Sequence, residues 1–196
     1  TMVIVVFALG TSWLLWQNSQ IAAADAASDI YEEILTLAVA EPGTEVSAEN
    51  GAQILDLGNQ LRADHSGTVY ALFGSLFSAQ QQVRTDDLAA AEESLQWILD
   101  NQKDGMFDKT DEGLILTASL RLGRVILAQG DAERALSLIN NLDPKTFEPG
   151  FAELRGDVYL AMGRLVDARE AYQAAQQAGS NSGGLRMKLD DLSAES

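Results

Sequence analysis

The chain has 196 residues, no Cys and a formal net charge of −16. Binding to a nucleic-acid backbone needs clustered Lys and Arg, so nucleic acid is excluded as a partner, and anionic lipid headgroups are disfavoured as a docking surface for the polar part of the chain. The absence of Cys removes disulfides, thiolate catalysis and Cys-ligated metals together, while 46% apolar content is enough for a core and three prolines with no alternating β-branched runs favour an all-α fold.

Residues 2–16 form an apolar stretch that ends Trp13-Leu14-Leu15-Trp16, and the first charge is Asp25. As a helix this stretch spans roughly 22 Å, short of a bilayer core of about 30 Å. A start at Thr1 rather than Met is expected to reflect truncation, and a few more apolar residues upstream would complete a spanning helix. The expected assignment is a truncated transmembrane anchor over 1–20, with the two indoles at headgroup level. A signal peptide with Ala22-Ala23-Ala24 as its small-residue cleavage site and a buried core helix remain the alternatives. From Gln17 to Leu61 there is no Lys or Arg. Cytoplasmic flanks are enriched in those residues, so the C-terminal side is expected to be translocated, into the periplasm of a Gram-negative cell.

The rest, 21–196, is expected to be one periplasmic domain. Ile21 to Ala40 reads as an amphipathic helix with Ile30, Ile34, Leu37 and Ala38 on one stripe, broken at Glu41-Pro42-Gly43. A second helix covers about 48–63, with Ile54, Leu55 and Leu61 apolar. Asp64-His65-Ser66-Gly67 is a turn. A third helix starts at Thr68 and carries Tyr70, Leu72, Phe73, Leu76 and Phe77, whose rings are expected in the core. A fourth opens at Asp86-Asp87-Leu88, with Ala91, Leu95 and Ile98 apolar, and a longer connection follows at Asn101 to Asp111.

From Leu122 to Ala175 the chain repeats itself. Gly123 and Gly156, Ile126 and Tyr159, Gly130 and Gly163, Ala135 and Ala168, and Ile139 and Tyr172 are each 33 residues apart. A period near 34 with two helical patterns per unit is the mark of tetratricopeptide-like helical hairpins. Gly inside a helix costs about 1 kcal/mol against Ala, so Gly123 and Gly156 are expected where a partner helix comes close, facing Ala135 and Ala168, with Ile126, Tyr159, Ile139 and Tyr172 filling the space beside each contact. Gly130 and Gly163 are expected to end their helices in the left-handed conformation. The clearest repeats cover about 113–144 and 149–178, and a degenerate one about 68–100. After the turn from Gly179 to Gly184, a capping helix is expected at about 184–193, with Leu185, Met187, Leu189 and Leu192 apolar. The fold expected is all-α: tetratricopeptide-like helical-hairpin repeats in a right-handed superhelix, preceded by a transmembrane helix.

No chemistry is visible. His65, in a polar turn, is the sole imidazole, so no His cluster can form, and no Ser-His-Asp arrangement is visible. Glu32-Glu33 and Glu92-Glu93 are adjacent in helices and do not face each other. The Gly179 to Gly184 turn lacks the Lys-Ser/Thr of a phosphate loop. No catalytic residue, cofactor site or metal site is expected. Stacked hairpins offer a concave face lined by first helices. One turn from the packing glycines that face is expected to present Leu120, Arg124, Leu127, Glu153, Asp157 and Leu160, a mixed groove suited to short peptides.

The order of parts resembles the YfgM-type ancillary subunits of the SecYEG translocon, over nearly the whole chain. The resemblance is carried by the Trp13-Leu14-Leu15-Trp16 end of the anchor, by Leu120-Arg121-Leu122-Gly123-Arg124-Val125 and by Asp131-Ala132-Glu133-Arg134-Ala135-Leu136. It is carried further by Leu154-Arg155-Gly156-Asp157, Gly163-Arg164-Leu165-Val166-Asp167-Ala168-Arg169 and Met187-Lys188-Leu189-Asp190-Asp191-Leu192. The resemblance implies a non-enzymatic, single-pass inner-membrane protein with a periplasmic repeat domain. Its implied partners are the SecYEG translocon, a membrane-anchored chaperone of the PpiD type and unfolded client polypeptides passing to periplasmic chaperones. A link to the Rcs envelope-stress response is also implied. The alternative is a soluble periplasmic repeat scaffold in envelope assembly or stress signalling; an enzyme, for instance of cell-wall synthesis, has no residues to support it.

Overall fold

The computed structural model describes residues 22–39, 45–105 and 109–194. The expected anchor over 1–20 and the break at Pro42 lie outside the described residues. Among those described, no helix is long and apolar enough to cross a membrane. They form helices α1 (22–38), α2 (Ala48–Asp64), α3 (Val69–Arg84), α4 (Leu88–Asp100), α5 (Glu112–Ala128), α6 (Ala132–Asn140), α7 (Glu148–Ala161), α8 (Leu165–Gln177) and α9 (Gly183–Ala194), with a 3-10 turn at Lys145–Phe147. No strand occurs among the described residues; the long connection after α4 carries one isolated bridge, Asp104 with Lys109. The chain divides into two compact units, residues 1–81 and 82–196, with the division falling inside α3.

In the first unit the core is Ala27 and Ile34 of α1, Ile54 and Leu61 of α2, and Ala71, Leu72 and Leu76 of α3. Ser47 caps α2 by accepting from the Asn50 N–H at 3.1 Å. Small residues let α2 and α3 approach. A methyl built on Gly74 would sit 2.7 Å from Leu61 Cδ1 and 3.7 Å from the Gly58 Cα, and one on Gly58 would overlap the Ser78 hydroxyl. The rings of α3 are not in this core. Tyr70, Phe73 and Phe77 are only partly buried, and Tyr31 of α1 lies among them.

In the second unit consecutive helices pack on one another from α4 to α9, and α5 also meets α7 across the intervening α6. The hairpin turns are built alike. Gly130 and Gly163 have φ of 89° and 73°. The N–H of Asp131 returns to the Ile126 carbonyl at 3.2 Å and that of Arg164 to Tyr159 at 2.8 Å, closing two helix ends by the same paired-bond motif. The turn before α4 has the same bonding, Asp87 N–H to Gln82 at 2.8 Å, but Asp86 takes the left-handed position at φ 60°. Asp87, Asp111 and Asp131 then cap α4, α5 and α6, each accepting a backbone N–H three residues on.

The packing glycines are buried, but they do not face the alanines as expected. A methyl on Gly123 would meet Leu154 Cδ2 at 2.7 Å and Leu138 Cδ2 at 3.7 Å, and one on Gly156 would overlap the Tyr172 ring. The reason is side-chain reach. Ala135 and Ala168 are fully buried, but longer side chains take the space each glycine leaves: Tyr172, one turn past Ala168, at Gly156, and Leu154 of α7, with Leu138 farther off, at Gly123. A second correction concerns α9. Leu185 and Leu192 are buried and Leu189 packs against the core, whereas Met187 is 67% exposed. On a helix, positions 185, 189 and 192 share a stripe that 187 does not.

Candidate functional site

The six expected surface residues fall on two helices. Leu120, Arg124 and Leu127 are on α5, and Glu153, Asp157 and Leu160 on α7. The i, i+4, i+7 spacing puts each triple on one stripe. Arg124 and Leu160 are exposed and Leu127 partly so. Leu120 is covered in part by the start of α7, where Gly150 leaves room for it; a methyl on Gly150 would lie 2.9 Å from Leu120 Cδ2.

Glu153 and Asp157 are engaged elsewhere. Lys188 of α9 donates to Glu153 Oε1 at 3.0 Å and lies 2.7 and 2.9 Å from the two oxygens of Asp157. The Tyr172 hydroxyl of α8 donates to Asp157 Oδ1 at 2.7 Å. Two carboxylates thus tie α7 to α8 and α9. Burial disfavours the charged ammonium of Lys188, but the bonds to Asp157 and Glu153 outweigh it and hold its pKa above the usual Lys value. Burial first, then the bond to Asp157, pushes the Tyr172 phenol well above its ordinary value. Lys188 also lies 5.5 Å from the Tyr172 ring centroid. Beneath this network Ala152, Ala168, Tyr172, Ala175, Leu185 and Leu192 form one apolar cluster, and Arg169 donates to the Leu192 carbonyl. The open part of the stripe pair is therefore Arg124, Leu127 and Leu160.

Sequence reading missed Lys188 as a clamp. Its signal was a basic residue placed between apolar positions of a capping helix, within a strongly acidic chain. Among the described residues no group of His, Asp and Glu is arranged to hold a metal. The geometry offers surfaces for polypeptide contact rather than converging reactive groups.

Comparison with known proteins agrees with this geometry. The tetratricopeptide repeat-like domain family matches residues 1–194. A Haemophilus influenzae protein named Ancillary SecYEG translocon subunit is 30% identical over 196 residues, which is 97% of this chain and 88% of that protein. The chain belongs to the ancillary SecYEG translocon subunit family. The family member of the same name from Escherichia coli is 30% identical over 92% of this chain and 81% of its own length. One from Neisseria gonorrhoeae is 30% identical over 77% of this chain and 67% of its own. No solved structure matches. The family pairs a protein-interaction fold with a subunit role, and the chain is not an enzyme.

Proposed function

We propose that this chain is a membrane-tethered ancillary subunit of the Sec translocon. Residues 1–20 anchor it in the inner membrane, and the helical repeats stand in the periplasm. There they dock a membrane-anchored chaperone of the PpiD type and assist the passage of newly translocated chains to periplasmic chaperones. The observation that carries this reading is the similarity to translocon subunits along almost the full chain. It is supported by the open strip of Arg124, Leu127 and Leu160, which mixes one cation with apolar side chains. The lack of Lys and Arg before Arg62 supports translocation of the body.

Site-specific photocrosslinking in inner-membrane vesicles tests it. Probes at Trp16 are expected to capture a subunit of the channel, and probes at Arg124 and Leu160 a periplasmic chaperone. Capture of neither protein overturns the reading. The Ala22-Ala23-Ala24 stretch favours one competitor, a soluble periplasmic scaffold released by signal cleavage. Sequencing the mature N-terminus separates the two: a start at Asp25 selects the scaffold.

A further inference from the structure

Four aromatic rings in the first unit remain partly exposed although a core is available beside them. Tyr31 of α1 has its ring centroid 5.7 Å from Tyr70, 5.7 Å from Phe73 and 6.1 Å from Phe77. The three partners sit at i, i+3 and i+7 and form one stripe of α3. Neighbouring side chains such as Ile34, Ile54 and Leu61 are fully buried, so the rings are an apolar face rather than the middle of the core. Two exposed aliphatic residues extend it: Leu35, 39% exposed and one turn after Tyr31, and Val69, 44% exposed and one turn before Phe73.

The charge beside this face has one sign. Residues 1–81 hold nine carboxylates and a single Lys or Arg, Arg62. At about 100° per residue, moving around α1 from the buried Ile34 one meets Tyr31, then Leu35, then Glu32 and Asp25, then Asp29. All three of these carboxylates are exposed. An aromatic face bordered by the exposed carboxylate of Glu32, in a unit of strongly negative charge, suits a cation on both counts. A guanidinium over the Tyr31 ring is attracted by the ring quadrupole, and Arg is the cation used most often in this way. Its charge is met by Glu32, next round the helix from Leu35, while Asp29 lies on the far side of α1.

The same charge rules on the other occupants. Anionic lipid and nucleic acid are repelled, and a second copy of this chain brings another −16. We propose that the α1–α3 face, centred on Tyr31, Tyr70, Phe73 and Phe77 and edged by Glu32, docks a polypeptide segment in which Arg side chains alternate with apolar ones. This inference is independent of the translocon reading, which places its contacts on α5 and α7.

The test uses the chain with its first unit intact and a short synthetic peptide alternating Arg and Leu, with a Glu-for-Arg version as control, measured by titration calorimetry. The Arg-Leu peptide is expected to bind and the Glu-Leu peptide not. Tyr31→Leu keeps an apolar side chain but removes the ring, and is expected to weaken binding about threefold to fivefold. Glu32→Gln is expected to weaken it by up to about fivefold. The matched Asp190→Asn, which changes net charge equally on α9, should leave affinity unchanged. Equal weakening by both charge substitutions, or full affinity in Tyr31→Leu, overturns the proposal, because the peptide would then be answering net charge alone. Should Tyr31→Leu fail to fold by circular dichroism, the amide shifts of the unaltered chain decide. Perturbation by the peptide centred on α1 and α3 supports the site, and perturbation centred elsewhere refutes it.

Discussion

The substitution that most directly tests the packing argument is Gly156→Ala. By helix propensity alone it should stabilise α7 by about 1 kcal/mol. The structure reverses that sign. A methyl at 156 would overlap two ring carbons of Tyr172 and lie 3.0 Å from its Cγ. Tyr172 cannot easily give way: it is fully buried, its hydroxyl is held by Asp157 at 2.7 Å, and it packs in one buried cluster with Ala152, Ala168, Ala175, Leu185 and Leu192. Overpacking of this kind costs about 1–3 kcal/mol, and swinging the ring away breaks a bond to a charged group worth about 1.5–3 kcal/mol. For so severe an overlap the upper part of those ranges, about 2–3 kcal/mol, applies, so after the propensity gain the net loss is about 1–2 kcal/mol, or a fall in Tm of about 2–8 °C. Urea and thermal unfolding followed by circular dichroism measure it. The paired control is Gly123→Ala, whose methyl would meet the ends of two aliphatic side chains, Leu154 at 2.7 Å and Leu138 at 3.7 Å, rather than a ring. There relief is easy and propensity gain offsets strain to within about 0.5 kcal/mol. In a Tyr172→Leu background the penalty at 156 should shrink, so that the double variant loses less stability than the two single variants together. A Gly156→Ala chain as stable as the parent would refute the claim that this glycine is there to admit the ring.

Asp86→Gly should raise stability by about 1 kcal/mol, since a non-glycine residue at φ 60° carries left-handed strain; the unfolding midpoint reads it, and a decrease would contradict it. Lys188→Met should destabilise the chain at neutral pH by about 1–3 kcal/mol through the lost bonds to Glu153 and Asp157. Because the Lys188 pKa is raised in the folded state, its contribution is complete below the unfolded value of about 10.4. The parent and variant curves should therefore converge as pH rises through the folded value. Glu92, bonded to Arg134 at 3.1 Å, has its carboxyl pKa lowered chiefly by that bond. Glu92→Gln should cost at most about 1 kcal/mol for a pair so open to solvent. That cost should be present above the unfolded value of about 4.3 and vanish as pH falls through the folded one.

The second half of the chain was legible because its hairpins repeat in one frame. Gly130 and Gly163 could be read as helix ends because only glycine takes that backbone cheaply, and the fixed offset made each support the other. Asp86 occupies the same conformational position without the residue that advertises it, so the turn before α4 had to be inferred from the helices around it. The close approach of α2 and α3 at Gly58 and Gly74 went unread for a related reason. No repeat partner marked either glycine, and a single helical glycine has many causes. Knowing that two glycines need space does not say which side chain takes it. Helical periodicity placed Tyr172 beside the contact at Gly156, but reach depends on side-chain length and tilt, and so its ring lies directly over the glycine.

The candidate face shows a sharper limit. Stripe geometry alone identified Glu153 and Asp157 as surface carboxylates on α7, and on an isolated hairpin they would be. What removes them from the open face is α9, whose docking brings Lys188 to both. A chain with an excess of acidic residues has few cations to spend. One placed between buried Leu185 and Leu192 is held by the same apolar contacts that seat the helix. Its ammonium must then find acceptors close by or lose its hydration without return. The cap therefore settles both the end of the repeat stack and which charges on α7 remain for a partner. The strip of Arg124, Leu127 and Leu160 is what is left, and a partner using it would meet more apolar and cationic character than the sequence of α7 by itself implies.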